Sequence, residues 1–244
     1  MNCFFIPKDW ITADEVSIAG SQARQIFNVL RLKPKDRVVV LDNSGWEYEV
    51  EVEKVTSQFV QGKVINKTLG TTEPEVKITL YQALLKTDKF ELVLQKGVEL
   101  GVSAFVPFLS ERCVVKKPGE NKITRWKTII QEAAEQSERT LLPVLNPVVS
   151  FQEACDMVSG SSSILLWEEE QTLRLSNVLR SSPFKNSLAL NIFIGPEGGF
   201  PSSEVDYAKS KNIVVASLGK RVLRAETASI AAISAILYDR GELG

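Results

Sequence analysis

Histidine does not occur anywhere in this chain of 244 residues. That absence removes Ser-His-Asp and Cys-His nucleophilic catalysis, imidazole bases and histidine-ligated metals. Any proton transfer must then use Asp, Glu, Lys, Tyr, Cys or water. Cysteine is scarce as well: Cys3, Cys113 and Cys155 are odd in number and widely scattered, which fits neither a disulfide framework nor the paired spacing of zinc ligands. Free thiols are the expectation, buried as free cysteine usually is, and no metal is expected. No apolar run approaches the ~20 residues of a membrane span. The opening Met1 to Asp9 lacks the basic start and long apolar core of a signal peptide, so no membrane partner and a cytoplasmic location are expected. Neither charge sign dominates: a formal net charge of −1 argues against a surface coated in positive potential for indiscriminate nucleic-acid binding, while leaving room for a local basic patch.

What is present suits a folded chain with a sizeable core. Apolar residues make up 44 % and charged residues 24 %, and at this length two domains are expected. From Arg37 to Asn66 the hydropathy has period two. Val38 to Leu41 leads into a turn at Asp42-Asn43-Ser44-Gly45, after which Trp46, Tyr48, Val50 and Val52 alternate with Glu47, Glu49, Glu51 and Glu53. Such alternation puts the aromatic and valine side chains on one face and the carboxylates on the other, as in a half-buried antiparallel strand. A small β-barrel would contain it, with the glutamates as its wet outer face. Leu69 to Pro74 is a polar, breaker-rich joint, and beyond it strands alternate with helices. The expected division is 1–72 and 73–244.

In the second part, Val76 to Leu85 reads as a strand and Asp88 to Leu100 as a helix with Phe90, Leu94 and Val98 on one side, ended by Gly101. Ala104 to Phe108 is a short strand, Asn121 to Arg139 a helix, and Ile164 to Trp167 a further strand. The last helix, Glu226 to Tyr238, carries Ala228, Ala231, Ala232, Ser234 and Ala235, so another backbone can approach it closely.

Two junctions in this α/β part are the candidate site. The apolar run Asn191 to Ile194 breaks into Gly195-Pro196-Glu197-Gly198-Gly199-Phe200, and Ile213 to Leu218 breaks into Gly219-Lys220-Arg221-Val222-Leu223-Arg224-Ala225-Glu226-Thr227. At the carboxyl ends of neighbouring parallel strands such loops collect ligands. The first loop has neither Gly-x-Gly-x-x-Gly nor a Gly-Lys-[Ser/Thr] ending, which makes a nucleotide hydrolase a distant reading. A plain tight turn would use the same glycines. Glu197 is what tilts the loop toward binding, because a carboxylate among exposed backbone groups suits a polar ligand. Arg221 and Arg224 read either as surface cations at a helix start or as arginines aimed at a phosphate or a base edge. Between Arg24 and Arg37 lie Arg24, Arg31, Lys33, Lys35 and Arg37 against Asp36 alone, a solvated face or an RNA footprint. Lys116, Lys117, Lys122 and Arg125 form a smaller basic group of the same ambiguity.

With these residues in hand, the chain resembles the RsmE family of 16S ribosomal RNA uridine-N3 methyltransferases, a branch of the SPOUT methyltransferases. The likeness is carried nearly end to end by Val29-Leu30-Arg31-Leu32, by Gln95 to Val102 with Ser110-Glu111-Arg112-Cys113, by Glu132 to Ser137, by Ile194 to Gly199 and by Leu218 to Thr227. It implies an α/β fold, with a PUA-like small β-barrel that binds RNA over 1–72 and a trefoil-knot methyltransferase domain over 73–244. It implies S-adenosylmethionine as the cofactor, 16S ribosomal RNA of the 30S subunit as the substrate, and a homodimer. The same likeness puts Leu166, Gly195, Pro196, Glu197, Gly199, Leu218, Gly219, Val222, Leu223 and Arg224 at the cofactor. Where relatives often have histidine this chain has Gln25 and Trp167. Thr87 and Glu138 replace usual glycines, and Lys220 a usual proline.

Uridine N3 must lose a proton before it can attack a methyl sulfonium, so a base and a cation are required. Arg224 is the expected cation beside the uracil oxygen, and Glu197 or Glu226 the expected proton acceptor, directly or through water. The RNA contact would fall to Arg24, Arg31, Lys33, Lys35 and Arg37. A SPOUT ribose 2′-O-methyltransferase and a non-catalytic RNA-binding assembly factor are the competing readings.

Overall fold

The computed structural model describes residues 1–115 and 117–244; Lys116 of the smaller basic group lies outside the described residues. The chain forms two compact units, Met1–Glu73 with Gln131–Leu142, and Pro74–Ile130 with Pro143–Gly244.

In the first unit the elements are β1 (Cys3–Phe5), β2 (Glu15–Ala19), α1 (Gly20–Gln25), β3 (Arg37–Leu41), β4 (Trp46–Val55) and β5 (Phe59–Leu69). They make a five-stranded sheet in the order β1-β3-β4-β5-β2, with β1 parallel to β3 and the other pairs antiparallel. Every strand contributes to one core, through Phe4, Val16, Ile18, Val38, Val40, Val50, Val52 and Val60. A sheet whose five strands all point into one cluster must be curled around it. Val50 and Val52 are buried as the alternation requires, but Trp46 is 39 % exposed. The pairing of β4 with β5 shifts register between Glu49 and Val50 and between Val52 and Lys54. The first shift leaves Ile65 of β5 as the extra residue, so the alternation within β4 is intact and Tyr48 still packs on the core. Trp46 opens the strand opposite Leu69, which is also exposed, beyond the reach of the core cluster, and Lys67 lies over its ring at 4.7 Å.

After α1 the backbone widens into a π-type turn over Ile26–Leu30, closed by Arg31 at a left-handed φ of +54°. Lys33 to Asp36 then turns back, with Asp36 N–H donating to the Lys33 carbonyl at 3.0 Å and Lys35 at φ +80°, a position that usually takes glycine.

Residues 131–142 belong with this sheet for specific polar reasons. Glu135 Oε1 accepts from the Phe5 N–H at 3.0 Å and from Gln131 at 2.9 Å, so Glu135, inside the Glu132 to Ser137 motif, is a structural residue. Glu73 receives Arg139 Nη2 at 2.7 Å and the N–H groups of Thr140 and Leu141, each at 3.1 Å. Glu138, which stands where the resemblance has glycine, takes φ +56°.

The second unit continues with β6 (Lys77–Ala83), α2 (Thr87–Glu99), β7 (Ala104–Leu109), α3 (Glu120–Gln136), β8 (Val144–Leu145), β9 (Val149–Ser150), α4 (Phe151–Met157), β10 (Ser163–Leu166), α5 (Leu175–Arg180), β11 (Ala189–Ile194), α6 (Ser202–Ser210), β12 (Val214–Ala216) and α7 (Ala225–Asp239). The sheet runs β12-β10-β11-β6-β7-β8, with β9 also on β7 and every pairing parallel. Strands covered on both faces need apolar side chains at successive positions. Accordingly Ile164, Leu165, Ile192 and Phe193 are all fully buried. One face holds Tyr81, Phe108, Leu165 and Phe193 against Phe151 of α4 and Val205 of α6. On the other, Gln82 accepts from Ser229 Oγ of α7 at 2.5 Å, and the small residues of α7 let it lie on β6, β11 and α2. Gly101 ends α2 at φ +92°, where a side chain would be strained.

The two strands flanking the candidate loops are not neighbours, because β10 pairs with both β11 and β12. Three strand ends therefore meet at one edge, and the loop after β10 joins the other two. No helix among the described residues is long and apolar enough to cross a membrane.

Candidate active site

The carboxyl ends of β10, β11 and β12 open on a cavity of about 180 Å³. Leu166, Trp167 and Glu168 come from the first strand end, Ile194, Gly195, Pro196, Glu197 and Gly199 from the second, and Ser217 to Ala225 except Lys220 from the third, with Lys89 of α2 and Ala228 of α7 closing the ring. All ten positions expected at a cofactor line this one cavity: Leu166, Gly195, Pro196, Glu197, Gly199, Leu218, Gly219, Val222, Leu223 and Arg224. Glu226 does not line it. Its side chain is 13 % exposed in the first turn of α7. Lys89, Trp167, Glu168, Ser217 and Ala228 are lining residues that the sequence reading did not assign to the site.

The loops are knit tightly to one another. Gly199 N–H donates to the Pro196 carbonyl at 3.0 Å, which closes the turn 196–199, and Gly199 adopts φ +68° with no room for a β-carbon, which would overlap the Glu168 carboxylate. Trp167 Nε1 donates to the Phe200 carbonyl at 3.2 Å, and Arg112 Nη1 to the Gly198 carbonyl at 3.0 Å. Arg112 is held in turn by its neighbours. Glu204, buried in the first turn of α6, accepts from Ser110 Oγ at 2.7 Å and from the Glu111 N–H at 2.9 Å. Burial raises the Glu204 carboxyl above the ordinary value, outweighing those two donors.

The third loop is different in kind. Among the described residues no backbone hydrogen bond satisfies the N–H groups of Leu218 to Leu223. Backbone donors rarely go without a partner, so this loop offers them to water or to a bound molecule. Apolar surface from Leu166, Ile194, Leu218 and Leu223 lies beside them. Aliphatic walls with free backbone donors suit a heteroaromatic base and its ribose. Glu197, Glu168 and Lys89 supply both charge signs for the zwitterionic end of an amino acid. The residues present thus fit S-adenosylmethionine.

Charge at the rim is organised around Lys89. Its ammonium lies 3.7 Å from Glu197 Oε1 and 3.7 Å from Glu226 Oε2, and Glu197 also accepts from the Lys86 N–H at 3.3 Å. Arg224 is the N-cap residue of α7, exposed, and its guanidinium has no hydrogen-bond or ion-pair partner among the described residues. Thiol chemistry does not compete: the cysteines are free, burial pushes Cys155 up to about 12 and Cys3 up to about 11, and Cys113 is also raised by burial.

Residues 72–237 match the model of an RNA methyltransferase domain, and residues 18–65 that of an RNA methyltransferase PUA domain. The chain is 36 % identical to the ribosomal RNA small subunit methyltransferase E of Bacillus subtilis over 234 residues, 93 % of this chain and 91 % of that one. It belongs to the ribosomal RNA small subunit methyltransferase E family. A family member from Neisseria gonorrhoeae, solved bound to S-adenosyl methionine, superposes with a TM-score of 0.88 at 29 % identity, covering 98 % of this chain and 97 % of that one. A protein from Legionella pneumophila solved in complex with the same cofactor gives a TM-score of 0.86 at 27 % identity, covering 97 % of this chain and 96 % of that one. Family membership agrees with the mixed α/β fold and the N-terminal PUA domain expected from the motifs.

None of the five basic positions of the barrel lines this cavity. Arg24, Arg31, Lys33, Lys35 and Arg37 are all exposed on the first unit. Arg37 Nη1 is paired with Glu49 at 3.0 Å, and Arg24 Nε reaches the Gly20 carbonyl at 3.4 Å.

Proposed function

We propose that this protein transfers a methyl group from S-adenosylmethionine to N3 of a uridine in 16S ribosomal RNA of the small subunit. The observation that carries the reading is the single cavity at the ends of β10, β11 and β12, with unspent backbone donors along one wall and the unpaired Arg224 at its rim. Family membership supports the cofactor and the RNA substrate. The choice of N3 rests on the motif resemblance.

When bound, S-adenosylmethionine supplies a methyl carbon made electrophilic by its sulfonium. The residues of the chain do the rest. Arg224 sets a fixed positive charge beside the uracil oxygen on which the N3 anion is shared. Glu226 or Glu197 takes the N3 proton, and Lys89 stands between those carboxylates as the shared counter-charge. A base of this kind is worth ~10²–10⁴-fold. Holding the nucleophile in line with the methyl carbon contributes on the order of 7–11 kcal/mol, so positioning by the three loops is the larger part. Arg24, Arg31, Lys33, Lys35 and Arg37 contact the RNA. We assign residues 1–72 to RNA binding and residues 73–244 to the knotted methyltransferase domain. The docking of β12 on β10, outside β11, supports the knot. A homodimer in the cytoplasm completes the reading. The exposed Val222 and Tyr238, at 78 % and 73 %, are apolar surface that a second copy would cover.

Titration calorimetry with S-adenosylmethionine, followed by methyl transfer to small subunits from a strain lacking the gene, tests the reading. The expected result is micromolar-range binding and one new methyl on a uracil base, located by mass spectrometry of the ribosomal RNA. A methyl on ribose O2′ selects the ribose enzyme, and absence of cofactor binding selects the assembly factor.

A further inference from the structure

Beside its cations, the stretch from Arg24 to Arg37 carries two large apolar side chains that the core leaves outside. Phe27 is 45 % exposed and Val29 71 %. The helix and wide turn already have an inner face, since Ala23 and Ile26 are fully buried and Leu30 packs against the same core. Phe27 stands on the opposite side. Arg24, in the last turn of α1, precedes it by three residues, and Arg31, which closes the wide turn, follows it by four. Arg31 closes the turn in a left-handed conformation that a non-glycine residue adopts only at a cost. Exposed apolar residues scattered singly need no explanation; an exposed aromatic ring within a run of exposed cations does.

Charge decides what such a surface can hold. The one carboxylate of the stretch, Asp36, is engaged by the Lys33 N–H at 2.7 Å. Arg31, Lys33 and Lys35 have no hydrogen-bonded or ion-paired side-chain partner among the described residues. A partner must therefore be polyanionic and must also offer a flat apolar face to Phe27. Single-stranded RNA does both, since every unpaired base has a π-face and every nucleotide a phosphate. Bases inside a duplex are already stacked and offer no such face.

We infer that Phe27 is a stacking platform for an unpaired base of the substrate RNA, with Arg24 and Arg31 on the flanking phosphates. This rests on the proposed reading that the protein acts on ribosomal RNA, and it adds a side chain that recognises an unpaired nucleotide. An acidic protein surface would use the arginines but not the ring.

The test compares the wild-type protein with Phe27→Ala, Phe27→Trp and Arg31→Ala in binding labelled oligouridylate, and a duplex of the same length, across a salt series. Phe27→Ala should weaken single-strand binding roughly 5- to 100-fold with the slope of log K against log salt unchanged. Phe27→Trp should restore it, and Arg31→Ala should lower the slope by about 0.7. The inference is overturned if Phe27→Ala binds like wild type, if Phe27→Trp is as weak as Phe27→Ala, if the loss comes with a reduced slope, or if the duplex is affected equally. If wild type methylates small-subunit RNA while Phe27→Ala binds normally, only this inference falls. If wild type binds no RNA even at low salt, the proposed function falls with it.

Discussion

Lys89 Nζ lies 3.7 Å from Glu226 Oε2, a buried carboxylate oxygen that accepts no hydrogen bond among the described residues. At that distance the attraction is between charges and not a hydrogen bond. The side chains are 23 % and 13 % exposed, so solvent screens the pair only partly. Glu197 shares the same ammonium from the other side, so removing it would leave two carboxylates facing one another at the mouth of the cavity. Lys89→Met keeps the aliphatic stem and deletes the charge. It should cut the rate of methyl transfer about tenfold or more while the helix content is unchanged. Single-turnover methylation of small subunits, with circular dichroism as the control, measures both, and a rate within twofold of wild type would show the bridge to be ornamental.

Gly199 ties the geometry of the middle loop to a backbone conformation. With φ +68° and the Glu168 carboxylate against its α-carbon, Gly199→Ala must either open the turn that Gly199 N–H makes with Pro196 or expel Glu168. We expect cofactor affinity to fall about tenfold or more, with a normal unfolding transition. Adding Glu168→Ala to Gly199→Ala should recover part of that loss, because one of the two obstacles is then gone. Calorimetry on the single and double variants reads this directly; equal affinity in both would mean that the backbone conformation alone is responsible.

Arg224 has no side-chain partner among the described residues, which makes its substitution informative. An arginine held for structure would leave a stranded carboxylate behind, whereas here Arg224→Ala strips only a charge from the rim. Transfer should drop on the order of 10²–10³-fold, the usual effect of deleting one group that stabilises developing charge, with cofactor affinity changed by less than about threefold. Parallel loss of both would reassign Arg224 to holding the cofactor.

Much of this site was legible because two apolar runs stop at glycine, at Ile194 and just beyond Ala216. The turn residues there mark strand ends without reference to anything distant. What joins them was not legible. Placing β10 between β11 and β12 depends on parallel pairing across long crossovers, so the contributions of Trp167 and Glu168 could not be read from a local pattern. Lys89 is one lysine in an amphipathic helix, and its neighbours in space, Glu197 and Glu226, are far off in sequence. The extent of the first unit was hidden for the same reason: Glu135 fixes the Phe5 N–H from 130 positions away. Trp46 was misread where the alternation was clearest, because the pattern gives the face of a strand and not how far along it the core reaches: Trp46 and its partner Leu69 lie past the end of that core.

Two buried carboxylates make opposite demands on pH. Desolvation of Glu73 favours its neutral form, but the Arg139 guanidinium and the N–H groups of Leu141 and Thr140 outweigh it and hold its carboxyl below the ordinary value for a glutamate. A depressed folded value means that the stabilisation is present above pH 4.5 and is lost as the pH falls through the folded value. Desolvation of Glu204 wins over its donors and raises it, so that its contribution is full below pH 4.5 and is lost as the pH rises through the folded value. Glu73→Gln should therefore destabilise the fold at pH 7, because it removes the charge that faces the Arg139 guanidinium, and progressively less in acid. Glu204→Gln, which imitates the protonated form, should compare best with wild type at neutral pH and worst near pH 4. Urea unfolding of both variants at pH 7 and pH 4 distinguishes the two signs. If both variants shift in the same direction between those pH values, the assignment of Glu204 as the carboxyl governed by burial is wrong.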